Sequence, residues 1–214
     1  MTYSANVSFA EAAAVPIAAV TALQAVRDKG RVQAGQKVLV NGASGGVGTF
    51  AVQIAKSLGA EVTGVCSTKN LDMVRSIGAD HVIDYTKEDF TKGDKRYDVI
   101  IDTVGTHGIF DYARVMEPKG IYVAVGGPVG KWISPLDSLL GAMLARPFVS
   151  QTIAMMLAEL NPKDLAVLAD LLQAGKIKPV IDHTYNLEEL PEAMRYLEKG
   201  HARGKVVIDV AGEP

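Results

Sequence analysis

Two short stretches, one rich in glycine and one polar, each follow an apolar run and have residue types that could bind an anion together. Residues 43–48, ASGGVG, come soon after the apolar run KVLV at 37–40. Ser67, Thr68, Lys69 and Asn70 follow the run EVTGVC at 61–66. Glycines that lead into a helix let the backbone approach an anion, and the first N–H groups of the helix favour negative charge. The two stretches therefore predict a site for a small molecule that carries phosphate.

The spacing within 43–48 matches a dinucleotide-binding turn. Ala43, Gly45 and Gly48 take the positions of a G-x-G-x-x-G fingerprint, with alanine in the first position. Gly45 would let the backbone approach a pyrophosphate, and Gly48 would let the helix pack closely on the strand. We expect the intervening residues Ser44, Gly46 and Val47 to contact the cofactor too. The alternative is an ordinary tight turn between a strand and a helix.

The residues after the second predicted strand indicate which dinucleotide the turn would bind. NAD-selective sites place a carboxylate about 20 residues beyond the glycines, where it holds the ribose 2′-OH. Here Ser67, Thr68, Lys69 and Asn70 occupy that place, and hydroxyl and ammonium groups suit a 2′-phosphate instead. Tyr85, after the third strand, could stack on the adenine or bond the same phosphate. We therefore expect NADPH; a solvated helix start and a half-buried turn aromatic are the alternatives for Lys69 and Tyr85.

The wider pattern predicts the fold that would position these groups. Apolar runs predict strands at 37–40, 61–66, 81–83, 98–104 and 121–126, and helices at 8–14, 16–29, 46–58, 69–77, 107–116 and 162–174. Buried strands that alternate with helices are typical of an α/β doubly wound parallel sheet, a Rossmann fold. A strand, helix and strand are expected at 180–185, 188–199 and 205–210. We expect a dinucleotide-binding domain over 1–180 and a separate segment over 181–214.

Two further regions bear on the site and its surroundings. The carboxyl ends of the fourth and fifth strands would line the crevice that holds the second half of a dinucleotide. We expect these residues to flank the nicotinamide: Val104, Gly105, Val125, Gly126 and Gly127. Structural turns are the alternative for each glycine. The apolar stretch 135–157 predicts a helix followed by a strand at an exposed edge or an interface.

Composition narrows the classes of partner. The formal net charge is -2 and the charged residues of both signs are interleaved, so we expect neither nucleic acid nor membrane as a partner. Cys66 is the one cysteine, and the four histidines, His81, His107, His183 and His201, show no metal-ligand spacing. We predict no metal site, a cytoplasmic location and a small-molecule substrate.

Several motifs together resemble a known family. The chain is similar to the cofactor-binding part of the medium-chain dehydrogenase/reductase superfamily, in its quinone-oxidoreductase-like, zinc-independent branch, over residues 38–70 and at GADHVIDYTKEDF, YDVIIDTVG, IYVAVGGP and HARGKVVIDV. The resemblance implies hydride transfer from NADPH to a quinone or an α,β-unsaturated carbonyl. It also implies that Thr21, our one catalytic candidate, lies beside the nicotinamide, and that Lys205 lies near the cofactor.

The resemblance also raises an alternative function. Family members begin with a β-rich catalytic domain, and this chain begins where that domain ends. The chain could therefore be an NADP(H)-binding module or fragment without turnover of its own, completed by another domain or chain. In the family the segment from about 180 onwards packs on the catalytic domain. We therefore expect the strand at 206–210 to be partly uncovered, and a homodimer or other association through such an edge and the stretch 135–157.

Overall fold

A six-stranded parallel sheet forms the centre of the protein. The computed structural model describes residues 7–125 and 150–210. The strands are β1 (Lys37–Asn41), β2 (Glu61–Cys66), β3 (His81–Asp84), β4 (Tyr97–Asp102), β5 (Met116–Ala124) and β6 (Thr152–Met155). Their order in the sheet is β3-β2-β1-β4-β5-β6, and every neighbouring pair is parallel. This is the strand order of dinucleotide-binding Rossmann folds. The predicted fold class is confirmed.

Helices cover the sheet, which explains why the central strand β1 is apolar at its three middle positions. Val38, Leu39 and Val40 of β1 are all fully buried. The helices are α1 (Phe9–Ala14), α2 (Pro16–Leu23), α3 (Gly46–Ser57), α4 (Leu71–Ser76), α5 (Ile109–Arg114), α6 (Pro162–Gln173) and α7 (Leu190–Glu198). No helix among the described residues is long and apolar enough to cross a membrane.

The helix predicted over 16–29 changes form part-way. It is α-helical to Leu23 and continues as a π-helical turn over Gln24–Lys29. Side chains of this turn reach the buried Asp164 in the first turn of α6: Gln24 Nε2 and an Arg27 guanidinium nitrogen each donate to its carboxylate at 2.7 Å. Packing against α6 thus accompanies a local geometry that the apolar pattern does not predict.

Two strands differ from their predicted bounds. β4 ends at Asp102 rather than at residue 104, because the Asp102 carboxylate accepts the backbone N–H groups of Val104 and Gly105 and turns the chain. β6 lies at the sheet edge beside β5, so the strand expected within 135–157 is present. The helix expected before it falls at 135–149, outside the described residues.

The C-terminal segment forms a second, two-stranded parallel sheet of β7 (Ile181–Asn186) and β8 (Lys205–Asp209). It is joined to the glycine turn, since the Gly204 N–H donates to the Ser44 carbonyl at 2.8 Å. In β8, Val207 is buried, whereas Val210, just after the strand, is exposed. Exposed apolar side chains also lie at Leu187 and, on α7, at Leu190, Met194 and Leu197. The domain division at residue 180 and self-association stay predictions.

Candidate functional site

A cavity of about 740 Å³ opens at the carboxyl ends of β1, β2, β3 and β4. Residues 200–202, just before β8, close part of it. The volume lies within the range typical of small-molecule sites. The sequence-predicted residues that line it are Ser44, Gly45, Gly46, Val47, Ser67, Lys69, Asn70, Tyr85 and Val104. Residues of the glycine-rich stretch 43–48 and of the polar stretch 67–70 therefore face one cavity.

Steric contacts fix the turn between β1 and α3. A Cβ on Gly48 would lie 2.0 Å from the Gly42 carbonyl oxygen, so the turn and helix can approach only because residue 48 lacks a side chain. At Gly45 a Cβ would meet only that same oxygen, at an ordinary 3.4 Å. Gly45 precedes α3 and supplies no side-chain cap, so its side chain does not compete with a ligand for the first N–H groups of the helix.

Gly42 is a functional residue that the sequence reasoning missed. Its φ of +80° belongs to the left-handed region, and a Cβ there would lie 2.3 Å from Thr103 Oγ1. Gly42 rather than Ala43 therefore makes the tight turn and lines the cavity. Ala43 is fully buried beneath the turn, outside the cavity lining. The Asn-Gly pair at 41–42 is a turn signal that could have revealed this.

Lys205 lies against the same turn, although it is not among the cavity-lining residues. A Cβ on Gly46 would come within 3.0 Å of Lys205 Cδ and 3.8 Å of its Nζ. The ammonium group is thus close to the start of α3. A cation near a helix N-terminus is unfavourable by itself, so the two positive ends together favour an anion between them.

At the end of β2, Ser67, Lys69 and Asn70 line the cavity but Thr68 does not. The Thr68 hydroxyl donates to Asp84 Oδ2 at 2.5 Å, so its hydrogen is already paired within the protein, and its role toward a phosphate stays a prediction. Hydrogen bonds from Thr68 and Thr86 lower the pKa of Asp84 to about 2. Thr68, one of the four residues at the expected carboxylate position, therefore pairs with an acid of its own sheet.

A buried carboxylate organises the end of β4, and sequence reasoning missed it too. Asp102 is fully buried and accepts hydrogen bonds from Tyr112 Oη at 2.6 Å, Tyr122 Oη at 2.7 Å and Asn41 Nδ2 at 2.9 Å. Burial, aided by the Asp102 charge, raises the pKa of both tyrosines, which stay protonated donors. Asp102 also fixes the loop that carries Val104 into the cavity, while Gly105 lies outside the lining.

Other predicted site residues are not brought to the cavity. Thr21 donates its hydroxyl to the Ile17 carbonyl at 2.7 Å, within its own helix, and does not line the cavity. Val125 follows β5 and is likewise absent from the lining. Gly126 and Gly127 lie outside the described residues. Among the described residues, the cavity is therefore lined from the ends of β1 to β4 and not from the end of β5.

Several cavity residues had no signal in the local sequence pattern. The His107 ring packs on Phe90, with centroids 5.0 Å apart, and its Nε2 lies 3.3 Å from Asp89 Oδ1. Cys66 lines the cavity as well, and burial raises the pKa of its thiol to about 11. Among the described residues, no group of three or more His, Cys, Asp or Glu side chains is placed to hold a metal ion.

Comparison with known proteins now identifies the family. A family model described as "Zinc-binding dehydrogenase" matches residues 77–208, more than half of the chain. The chain belongs to this family, within the medium-chain dehydrogenase/reductase superfamily. A structural comparison agrees: the quinone oxidoreductase from Coxiella burnetii superposes with a TM-score of 0.83 and 29% identity, over 98% of this chain and 63% of that one.

Curated dehydrogenase relatives are longer than this chain. It is 36% identical to "NAD(P)H oxidoreductase RTN4IP1, mitochondrial" of Mus musculus, over 96% of this chain and 57% of that protein. It is 37% identical to "2-methylene-furan-3-one reductase" of Solanum lycopersicum, over 95% of this chain and 47% of that protein. The chain thus spans only about half of the length of these two relatives.

Proposed function

We propose that this dehydrogenase-family chain binds NADPH and supports hydride transfer to a quinone or an α,β-unsaturated carbonyl. The observation that carries the proposal is the juxtaposition, around one cavity, of an uncapped helix start with the hydroxyl, amide and ammonium groups of Ser67, Asn70 and Lys69. When bound, the cofactor would supply the hydride.

The groups around the cavity fit the two charged parts of such a cofactor. The N–H groups that begin α3, with Lys205 close by, would hold the pyrophosphate. Ser67 and Lys69 would donate to the 2′-phosphate. Tyr85 is about half exposed at the cavity rim, where its ring could stack on the adenine. The protein's part in the chemistry is to orient the cofactor and exclude water.

The substrate class rests on the names of relatives. They include a quinone oxidoreductase, a furanone reductase and, in Arabidopsis thaliana, "NADPH-dependent alkenal/one oxidoreductase, chloroplastic", which is 35% identical over 95% of this chain. Each of the three names includes oxidoreductase or reductase. We propose the same kind of reaction here, without zinc in this chain and in the cytoplasm.

A second candidate is an NADP(H)-binding module without turnover of its own. It is favoured by the lining of the described cavity, which holds candidate phosphate-binding groups but not Thr21, the one catalytic candidate. Loss of NADPH absorbance with a panel of benzoquinones and enones would support the enzyme. Saturable binding without turnover on the whole panel would support the module.

Replacement of Lys69 tests the cofactor assignment. We expect Lys69→Ala to weaken NADPH binding about tenfold and NADH binding much less, because only NADPH presents the 2′-phosphate. Titration of nicotinamide fluorescence measures both dissociation constants. Lys119→Ala makes the same charge change at an exposed position near the start of β5, away from the cavity, and is the control. Equal losses for both cofactors would place Lys69 elsewhere, and no saturable NADPH signal from the unaltered chain would reject the binding claim.

A further inference from the structure

Asn70 connects the glycine-rich stretch 43–48 with the polar stretch 67–70, both of which line the cavity. It lies just before α4 and is only 4% exposed. Its Nδ2 donates to Ser44 Oγ at 3.0 Å and to Ser67 Oγ at 3.2 Å. Ser44 belongs to the glycine turn after β1, whereas Ser67 follows β2. One side-chain amide therefore bridges the turn proposed for the pyrophosphate and the strand end proposed for the 2′-phosphate.

These hydrogen bonds fix the polarity of the serines. A hydroxyl oxygen that accepts a hydrogen bond from an N–H group must direct its own hydrogen elsewhere, so neither serine donates its hydrogen to Asn70. Both serines line the cavity. Their hydrogens are therefore left for an acceptor in it, and phosphate oxygens are acceptors only. The opposite amide orientation would take both hydrogens and leave the serine lone pairs facing the phosphates.

Asn70 holds this arrangement at a local cost. Its Oδ1 is buried without a hydrogen-bond partner among the described residues. Asparagine before a helix commonly caps the first N–H groups, yet Asn70 makes no capping hydrogen bond to α4. Buried unpaired polar groups are uncommon and call for an explanation, which functional sites often supply. Here the amide oxygen of Asn70 is unpaired within the described part of the chain, while the amide nitrogen donates to two hydroxyls that line the cavity.

We propose that Asn70 is a positioning residue that makes Ser44 and Ser67 hydrogen-bond donors toward the phosphates of NADPH, and so favours NADPH over NADH. The proposal rests on the proposed function. Asn70 acts through the serines rather than by touching the 2′-phosphate. Its effect is therefore present only while the serine hydroxyls are present.

The test is a coupling experiment on the whole chain with NADPH and NADH as probes. Asn70→Leu removes the donor at similar volume, and we expect NADPH binding to weaken about tenfold and NADH binding less. In a Ser44→Ala/Ser67→Ala background, the same substitution should change NADPH affinity by no more than about twofold. Thermal unfolding of every variant shows whether the fold is retained.

Asn70→Asp is the second variant, because a carboxylate can only accept from the serines. We expect it to weaken NADPH binding more than Asn70→Leu does. Wild-type affinity in Asn70→Asp would overturn the proposal, since the amide would then already be accepting. An undiminished effect of Asn70→Leu in the serine-less background would also overturn it. Absence of NADPH binding by the unaltered chain is a separate outcome that rejects the proposed function itself and the inference with it.

Discussion

The two sides of the cavity are built on different physical terms. At the ends of β1 and β4, Gly42, Gly48 and Asp102 are fixed by backbone contacts or by burial, and a Cβ on either glycine would overlap a neighbouring atom. At the ends of β2 and β3, Lys69 and Tyr85 are exposed side chains at a cavity rim. On the β1–β4 side, a larger residue at either glycine would force the backbone to move. On the β2–β3 side, the exposed side chains can be replaced while the strands stay in place.

The two sides of the cavity therefore differ in role: one sets the shape of the ligand crevice, and the other sets the selectivity for the cofactor. β1 and β4 are neighbours at the point where the strand order reverses, the usual ligand crevice of an open parallel sheet. Backbone groups there can serve any pyrophosphate. Side chains at the other side decide which ribose is accepted. Substitutions of Gly42, Gly48 or Asp102 should therefore lower stability, and those of the exposed Lys69 and Tyr85 should mainly change affinity.

The largest effect is expected at Asp102. Asp102→Ala leaves two tyrosine hydroxyls, the Asn41 amide and the Val104 and Gly105 N–H groups without their buried acceptor. We expect a loss of about 4 kcal/mol in the free energy of unfolding, measured by urea denaturation. Asp98→Ala, on the same strand, removes an acceptor for the Lys37 N–H near the surface and should cost under about 1 kcal/mol. Equal costs would show that the buried network is not what stabilises this side.

A smaller effect is expected at Gly48, with Gly45 as the matched comparison. Alanine has the higher helix propensity, so a destabilised Gly48→Ala must result from the 2.0 Å approach to the Gly42 oxygen. We expect a loss of about 3 kcal/mol. Gly45→Ala should cost less than about 1 kcal/mol but weaken NADPH binding, because its Cβ would enter the cavity wall. Unchanged stability of Gly48→Ala would mean that the turn can relax, and would contradict the claim that the β1–β4 side is sterically fixed.

Sequence periodicity predicts the sheet well because its signal is local. The apolar runs of β1, β2 and β3 lie within a residue of their predicted bounds. The glycine turn was also found, although Gly42 was overlooked in favour of Ala43. The Asp102 network was not predictable in this way, since Asn41, Tyr112 and Tyr122 are brought to it from separate elements.

The polar side of the site shows the same limit. Four consecutive residues, 67–70, were all predicted to face the cofactor, but the structure sends Thr68 to Asp84 and Asn70 to two serines. Residue type and spacing reveal that donors are present, whereas the acceptor of each donor depends on tertiary contacts. Residues 200–202, which close part of the cavity, are likewise brought there by tertiary contacts, among them the hydrogen bond from the Gly204 N–H to the Ser44 carbonyl.

The smallest effect concerns pH, and it tests whether Thr68 belongs to the sheet or to the ligand. The folded pKa of Asp84 is about 2, below its ordinary 3.8, because of hydrogen bonds led by that from Thr68. Ionised Asp84 therefore stabilises the fold above pH 3.8, and this contribution is lost as pH falls from there toward 2.

Thr68→Val removes the leading hydrogen bond. We expect it to lose less stability than the wild type over that acid range, in urea titrations at successive pH values. Because the hydroxyl serves Asp84, the same variant should keep NADPH affinity within about twofold. A large loss of NADPH affinity, with the acid dependence of stability unchanged, would show that Thr68 contacts the ligand instead. Thr68 would then contact the cofactor, as its neighbours Ser67 and Lys69 are proposed to do.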